Sequence, residues 1–418
     1  MTTADVLDHE PAGPDPVRPF AAYPTAALMA IATRPDVVFT RGRGSWIWDS
    51  EGRRYLDFVQ GWAVNTLGHA PAAVATALHA QAQCLLQAGP GFYSDRAAEL
   101  AARLAALSGL DRCFIANSGA EANEGAIKLA RKFGQAHRGG AFEIVTFANA
   151  FHGRSLATMS ASGKPGFERL FEPKVAGFPK ARLNDLDSVA ACVGSRTVAV
   201  MVEPIQGEAG VIEASDGFLR GLRRLCDERG VLLVLDEVQT GIGRTGSMWA
   251  HTRSGIRPDI LTLGKGLGGG VPIGAVLARE SACCFEPGDQ GGTYNGNALV
   301  CAAALAVLDV VAAPGFLAAV ESRSARLRAG LDRVAARLGL PPSDGRGLLL
   351  AIDLPHHRVA QDVADAARSR AGHDGVVPGL LVNPVRRKRL RLMPALDVGE
   401  AEVDEGLAIL GSLLTRGA

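Results

Sequence analysis

The sequence carries almost no net charge: 44 Lys and Arg stand against 43 Asp and Glu, a formal +1. That balance removes the electrostatic case for nucleic acid or an anionic membrane surface as partner. No apolar run reaches the length needed to span a bilayer. The opening "MTTADVLDHEPAGPDPVRPF" has no apolar h-region, so residues 1–20 read as a flexible lead and not as a secretory signal. Seven cysteines show no C-x-x-C spacing, and the adjacent Cys283 and Cys284 suit neither a disulfide framework nor a zinc site. A reducing, cytoplasmic setting without a metal is expected. Internal repeats and low-complexity tracts are absent as well.

What is present is a chain of 418 residues, 47% hydrophobic, with 50 glycines. It can bury a sizeable core in two domains or in a large one with an elaboration, and many sharp turns and close backbone approaches are expected. The basic cluster "VRRKRLRL" (Val385 to Leu392) reads better as a strand than as a nucleic-acid patch. Alternation puts Arg387, Arg389 and Arg391 on one face, leaving one arginine free to enter a site.

"VVFTRGRGSWIWDSEGRRYLDF" predicts two or three short strands with a turn at Asp49 to Gly52. From Pro90 helices alternate with buried strands: "RAAELAARLAAL", "RCFIAN", "AEANEGAIKLARKFG", "FEIVTFAN", "TVAVMVEP", "FLRGLRRLCDERG", "VLLVLDEV". This β/α alternation predicts an α/β fold with a mostly parallel central sheet covered by helices, whose ligands sit at the carboxyl ends of the strands. From about Ala313 long helices lead into "GLLLAIDL", "GLLVNP" and "LRLMP", a smaller α+β unit.

Four polar clusters should therefore converge: "ANSGAEANE", "NAFHGR", "EPIQGE" and "DEVQ". In the first, Ser118 and Glu121 form a capping box, and Gly119 turns the chain into a helix whose free N–H groups would cradle a phosphate. Two glycine-rich segments imitate nucleotide motifs. "GIGRTG" satisfies G-x-G-x-x-G, but "SMWAHTRSGIRPD" after it does not read as the required helix. "TLGKGLGGG" lacks both the upstream glycine and the Ser or Thr of a P-loop.

Lys265, flanked by Gly264 and Gly266 in an apolar setting, suits a neutral amine that attacks an aldehyde to give a Schiff base. Asp236 ends a buried strand and needs a cation to offset its desolvation. Pyridoxal 5'-phosphate answers all three features: a phosphate for the cap, an aldehyde for Lys265 and a protonated ring nitrogen for Asp236. Val238 would pack on the ring and Gln239 would reach its phenolic oxygen.

"NSGAEANEGAIKLAR", "FHGR", "EPIQGE", "LDEVQTGIGRTG", "TLGKGLGGGVPIGA" and "GGTYNGN", in this order, resemble the class III (subgroup II) pyridoxal-phosphate aminotransferases from about Tyr23 onward, with the acetylornithine type as the nearest pattern. The resemblance implies a fold-type-I homodimer with shared active sites. It implies that residues 21–65 and 311–418 make a small domain and residues 66–310 the large cofactor domain. It assigns Gly119 and Ala120, with Ser118, to the phosphate cap, Phe151 to the cover over the ring, and Thr293 to a phosphate contact given to the neighbouring subunit. Arg154 would hold the α-carboxylate of the donor, Arg391 the carboxylate beside the reacting carbon of 2-oxoglutarate, and Glu203 would screen Arg391. Tyr23 and Gly292 complete the substrate-facing set. Gly292 stands where a serine is usual, and "GPGFYSD" also departs from the common form, so the two changes bear on the amino donor.

The implied reaction moves the terminal amino group of N2-acetylornithine, ornithine or a related diamino acid to 2-oxoglutarate, giving a semialdehyde and glutamate, as in arginine biosynthesis. The alternatives are another ω-aminotransferase, a diamino-acid-modifying enzyme of a specialised pathway, and a non-catalytic binding protein on the same fold.

Overall fold

A computed structural model describes residues 17–372 and 375–415; most of the expected lead lies outside them. The tryptophan-bearing segment forms three antiparallel strands, β1 (Phe39–Arg43), β2 (Trp46–Asp49) and β3 (Arg54–Asp57). Asp49 makes the turn between the last two, accepting from the backbone N–H of Glu51 and Arg53 at 3.0 and 2.9 Å.

The alternating region supplies β4 (Arg112–Ala116), β5 (Glu143–Phe147), β6 (Lys180–Ala181), β7 (Thr197–Val202), a ribbon of β8 (Ile205–Gln206) and β9 (Ile212–Glu213), then β10 (Leu232–Asp236), β11 (Ile260–Leu263) and β12 (Gly274–Ala278). Without the ribbon these make a seven-stranded sheet in the order β4-β12-β11-β10-β7-β5-β6. It is parallel except for β12, which runs against both its neighbours. Its central strands are apolar over most of their length because helices cover both faces. Side chains alternate across β10: Leu233 and Leu235 enter one core with Leu100, Phe147 and Trp249, while Leu232 and Val234 enter another with Ile127, Leu129 and Met201. Asp236 has the parity of Leu232 and Val234, which aims it beneath the helix Gly119–His137.

Beyond the long helix Phe316–Arg337 come β13 (Asp344–Arg346), β14 (Leu349–Asp353), β15 (Gly379–Leu381), β16 (Asn383–Arg386) and β17 (Arg389–Leu392). Four of these form a sheet, β13-β14-β17-β16; β15 instead pairs in parallel with β3. Leu56 and Phe58 beside β3 share one core with Leu331, Leu350, Leu390 and Leu410, so the two ends of the chain are packed together. "VRRKRLRL" is not the single strand expected. Arg387 and Lys388 form the turn of a hairpin between β16 and β17, and only Arg389 and Arg391 share a strand face. Two consecutive charged residues at a solvated turn cost less than a charge forced onto either face of a continuous strand. Among the described residues no single helix is long and apolar enough to cross a membrane.

Candidate active site

Asp236, 4% exposed, emerges from β10 into a set of fixed donors. Its Oδ2 accepts from Asn123 Nδ2 at 2.8 Å and from His152 Nδ1 at 2.7 Å, and its Oδ1 from the backbone N–H of Val238 at 3.0 Å. Asn123 is held in turn by Thr262 of β11, whose hydroxyl donates to Asn123 Oδ1 at 2.7 Å. Sequence reasoning missed Asn123 and His152, although both lie inside motifs it singled out. The strand parity that points Asp236 under the helix was the available signal. The neighbouring Glu237 has a different task. It accepts from the backbone of Ala250 and His251 and from His251 Nδ1, tying down the turns that follow "DEVQ".

Ser118 caps the helix as expected, accepting from the N–H of Glu121 at 3.2 Å, but Glu121 reaches back one residue further, to the N–H of Asn117 at 2.8 Å. Gly119 is required by packing more than by turning: a Cβ there would lie 2.5 Å from Val238 Cγ1. Gly264 is as tightly placed, since its Cβ would come within 2.9 Å of the Gly119 Cα. Ala120 adjoins the "FHGR" loop, where a Cβ on Gly153 would lie 3.0 Å from the alanine's own. The helix start and the lysine-bearing turn therefore meet backbone to backbone, with the Val238 methyls packed against both.

Lys265 begins a short 3₁₀ turn and itself has φ of 39°, so the unusual backbone angle falls on the lysine and not on its glycine neighbours. Burial, followed by the Arg391 charge, lowers the pKa of its amine, while Glu208, Asp236 and Glu203 pull the other way. Burial and the nearby Asp236 push the Glu203 carboxyl well above its ordinary value, although it accepts from the N–H of Phe151 at 2.8 Å and feels Lys265.

Arg391 is fully buried, and each of its three nitrogens donates a hydrogen bond. Its Nε donates to Asn383 at 3.0 Å, Nη1 to Gln239 Oε1 at 3.1 Å, and Nη2 to Glu208 Oε1 at 2.8 Å. The carboxylate paired with it is thus Glu208 and not the expected Glu203, which sits at the start of "EPIQGE" and is spent on the Phe151 backbone. Glu208, past the β8 strand, faces β17 instead. Burial pushes Glu208 up, but Arg391 and Lys164 overcome it and hold the carboxyl at about 2. Gly207 makes the Gln239–Arg391 contact possible, because a Cβ there would lie 1.7 Å from Gln239 Oε1. That glycine was not singled out in the sequence either.

The remaining candidates make no hydrogen bond to this cluster among the described residues. Arg154 is exposed, its guanidinium 5.7 Å from the Phe167 ring, and among the described residues no acid pairs with it. Thr293 is exposed on a loop, its carbonyl accepting from Gln87 Nε2 at 2.5 Å. Gly292 lines a cavity of about 390 Å³ with Phe92 and Tyr93, and a Cβ there would meet the Asn295 side chain at 2.9 Å. Tyr23 stacks under Arg18 and lines a separate N-terminal groove with Phe20 and Leu28.

The residues present fit pyridoxal phosphate. Among the described residues, Gln239 Nε2 and His152 Nε2 are buried without a partner and Asp236 Oδ1 carries a single donor, and the capped helix start abuts Val238 and the lysine turn with no Cβ between. A half-buried amine of lowered pKa, a fixed carboxylate and an anion-ready helix start, gathered at the carboxyl ends of the central strands, are what an enzyme using that cofactor requires.

The chain belongs to the class-III aminotransferase family, whose model matches residues 29–414. It is 53% identical to acetylornithine aminotransferase 2 of Bordetella bronchiseptica over 395 residues, 94% of this chain and 98% of that one. The N-acetylornithine aminotransferase of Stenotrophomonas maltophilia K279a superposes with a TM-score of 0.78 at 36% identity, covering 91% of this chain and 96% of that one. A Toxoplasma gondii ornithine aminotransferase structure with partial occupancy of the cofactor at its active site gives 0.87 at 31% identity, over 94% and 93%. Fold class, family and cofactor agree with the sequence reading.

Proposed function

We propose that the chain transfers the terminal amino group of N2-acetylornithine, or of ornithine or a related diamino acid, to 2-oxoglutarate, yielding a semialdehyde and glutamate. The observation that carries the reading is the buried, three-way-held guanidinium of Arg391 within electrostatic reach of Lys265. An arginine so oriented can take a carboxylate in bidentate geometry beside the reacting carbon.

Pyridoxal phosphate, when bound, supplies an aldehyde to carry the amino group and a ring that accepts the electrons released at the reacting carbon. The chain's own residues do the rest. Asp236, oriented by Asn123 and His152, holds a negative charge for the ring nitrogen. Ser118, Gly119 and Ala120 present backbone N–H groups to the phosphate. Phe151 and Val238 would enclose the ring, and the amide nitrogen of Gln239 would be available to the ring oxygen. Lys265, once free, would take the proton from the substrate's reacting carbon and hand it to the cofactor carbon that retains the amino group, a task suited to an amine of lowered pKa. Arg154 takes the distant carboxylate of the donor.

The same reading makes the enzyme a homodimer in which Thr293 and Gly292 serve the neighbouring site. The exposure of Phe92 (79%), Tyr93 (100%) and Tyr294 (66%) supports it, since apolar surface of that kind is normally covered. The small domain is then residues 21–65 with 311–418, the large one residues 66–310. Seven free thiols suit a cytoplasmic setting, and the reaction suits arginine biosynthesis. The test is stoichiometry: cofactor-loaded protein given acetylornithine and 2-oxoglutarate should release one glutamate per semialdehyde. Absence of glutamate, with the cofactor demonstrably bound, overturns the assignment.

A further inference from the structure

Glu208 is held by two cations at once. Its Oε1 lies 2.8 Å from Arg391 Nη2 and its Oε2 2.9 Å from Lys164 Nζ. For a substrate carboxylate to take Arg391, Glu208 must leave it. Arg391 cannot follow, because its other donors stay on Asn383 and Gln239. Nor can the backbone beyond Glu208 move easily. Arg386 Nε donates to the Ala209 carbonyl at 3.0 Å and Arg389 Nε to the Gly210 carbonyl at 2.6 Å. Only rotation of the Glu208 side chain remains. A partly buried carboxylate that swings away from its sole cation loses the Coulomb attraction that offsets its desolvation.

We propose that Lys164 is a specificity-determining residue, the second seat of Glu208, which keeps that carboxylate paired when a substrate carboxylate occupies Arg391. The proposal rests on the reading of Arg391 as the contact for 2-oxoglutarate and glutamate. Formal charge shows why the seat matters. Lys164, Glu208 and Arg391 sum to one positive charge, which an incoming carboxylate neutralises. Without Lys164 the sum is zero, and the same carboxylate leaves a negative excess in a site that already holds Asp236. Lys164 can travel with its partner, since its side chain is 27% exposed and that of Glu208 22%. Its ammonium also stands 5.4 and 5.8 Å from the Phe151 and Phe167 rings, whose faces favour a cation. The donor half-reaction, in which the amine carbon bears no carboxylate, has no need to displace Glu208.

The experiment compares the cofactor-loaded enzyme with its Lys164→Met, Lys164→Arg and Glu208→Gln variants and the Lys164→Met/Glu208→Gln double variant. Affinity for glutarate, an unreactive dicarboxylate, is read by calorimetry and kcat/KM is read for each half-reaction. Lys164→Met should weaken glutarate about tenfold and lower the acceptor-to-donor ratio of kcat/KM by a similar factor, with Lys164→Arg restoring most of both. In the Glu208→Gln background the added Lys164→Met should shift neither, because no carboxylate needs seating. Equal losses for donor and acceptor, or an undiminished effect in the Glu208→Gln background, would make Lys164 a general cation and overturn the proposal. If Glu208→Gln alone leaves the acceptor-to-donor ratio unchanged, the reading of Arg391 falls, and this proposal with it.

Discussion

The carboxamide of Asn123 stands 2.8 Å from Asp236 Oδ2, joining the helix above the sheet to the end of its central strand. Asn123→Ala would leave a buried carboxylate oxygen and the Thr262 hydroxyl each a partner short. The expected loss is about 1–3 kcal/mol in urea unfolding of the cofactor-free protein. Cofactor affinity should fall in parallel, because Asp236 would be less firmly aimed. Unchanged affinity in a folded Asn123→Ala variant would show that Asp236 needs no support from the helix.

Gly264 has no space for a methyl group, since the nearest atoms are the Gly119 Cα and N at 2.9 and 3.0 Å, both backbone. Gly264→Ala should therefore push the helix start away from the lysine turn, costing about 1–3 kcal/mol and loosening the phosphate cradle. At Gly119 the obstacle is a Val238 methyl, which a smaller residue can remove. A Val238→Ala change should accordingly rescue Gly119→Ala but not Gly264→Ala, as read by thermal melts with and without cofactor.

These contacts show where legibility in the sequence ended. Apolar strand runs and the Ser118 cap were readable because burial and capping leave local patterns. Asp236 and Lys265 were readable because a charge in such a pattern is costly without a partner. Arg391 was singled out by resemblance with Glu203 named to screen it, whereas Glu208 is the carboxylate hydrogen-bonded to it, and the hairpin at Arg387 was read as strand. Which of two carboxylates five residues apart turns toward a distant arginine is decided by the path of the "EPIQGE" turn and by β17 packing across it. No local period records that. Gly207 and Lys164 were silent for the same reason: their meaning lies in contacts with Gln239, Arg391 and Glu208.

Lys265 should make the cofactor-free protein less stable at neutral pH. Burial and Arg391 hold its pKa below the ordinary 10.5, so between the two values the unfolded chain binds more protons than the folded one. Stability then rises with pH through that window. Lys265→Met removes the penalty. The variant should melt a few degrees above the parent near neutrality, with the gap closing as pH approaches the ordinary lysine value. A gap that stays constant with pH would point to packing instead. Bound cofactor should reverse the order, because the parent alone can attach it.

The two arginines should divide the reaction between them. Arg391 has no solvent exposure and three side-chain partners, so a change to Ala would strand Glu208, Gln239 and Asn383 as well as removing the charge. Arg391→Lys is the more informative variant, because it keeps a cation while losing the planar fork. It should depress the 2-oxoglutarate half-reaction by about 2–5 kcal/mol in kcat/KM, the range for a disrupted buried charge contact. Arg154 is exposed and without an acidic partner among the described residues, so Arg154→Ala should barely alter stability. If it meets the donor's distant carboxylate, its loss should raise the donor KM about tenfold, roughly 1.4 kcal/mol, while the glutamate half-reaction changes little. Single-turnover absorbance with acetylornithine, ornithine, β-alanine and glutamate separates these effects. If β-alanine converts the loaded enzyme as well as acetylornithine does, and Arg154→Ala alters neither half-reaction, the donor is not an N-acylated diamino acid and Arg154 does not read it.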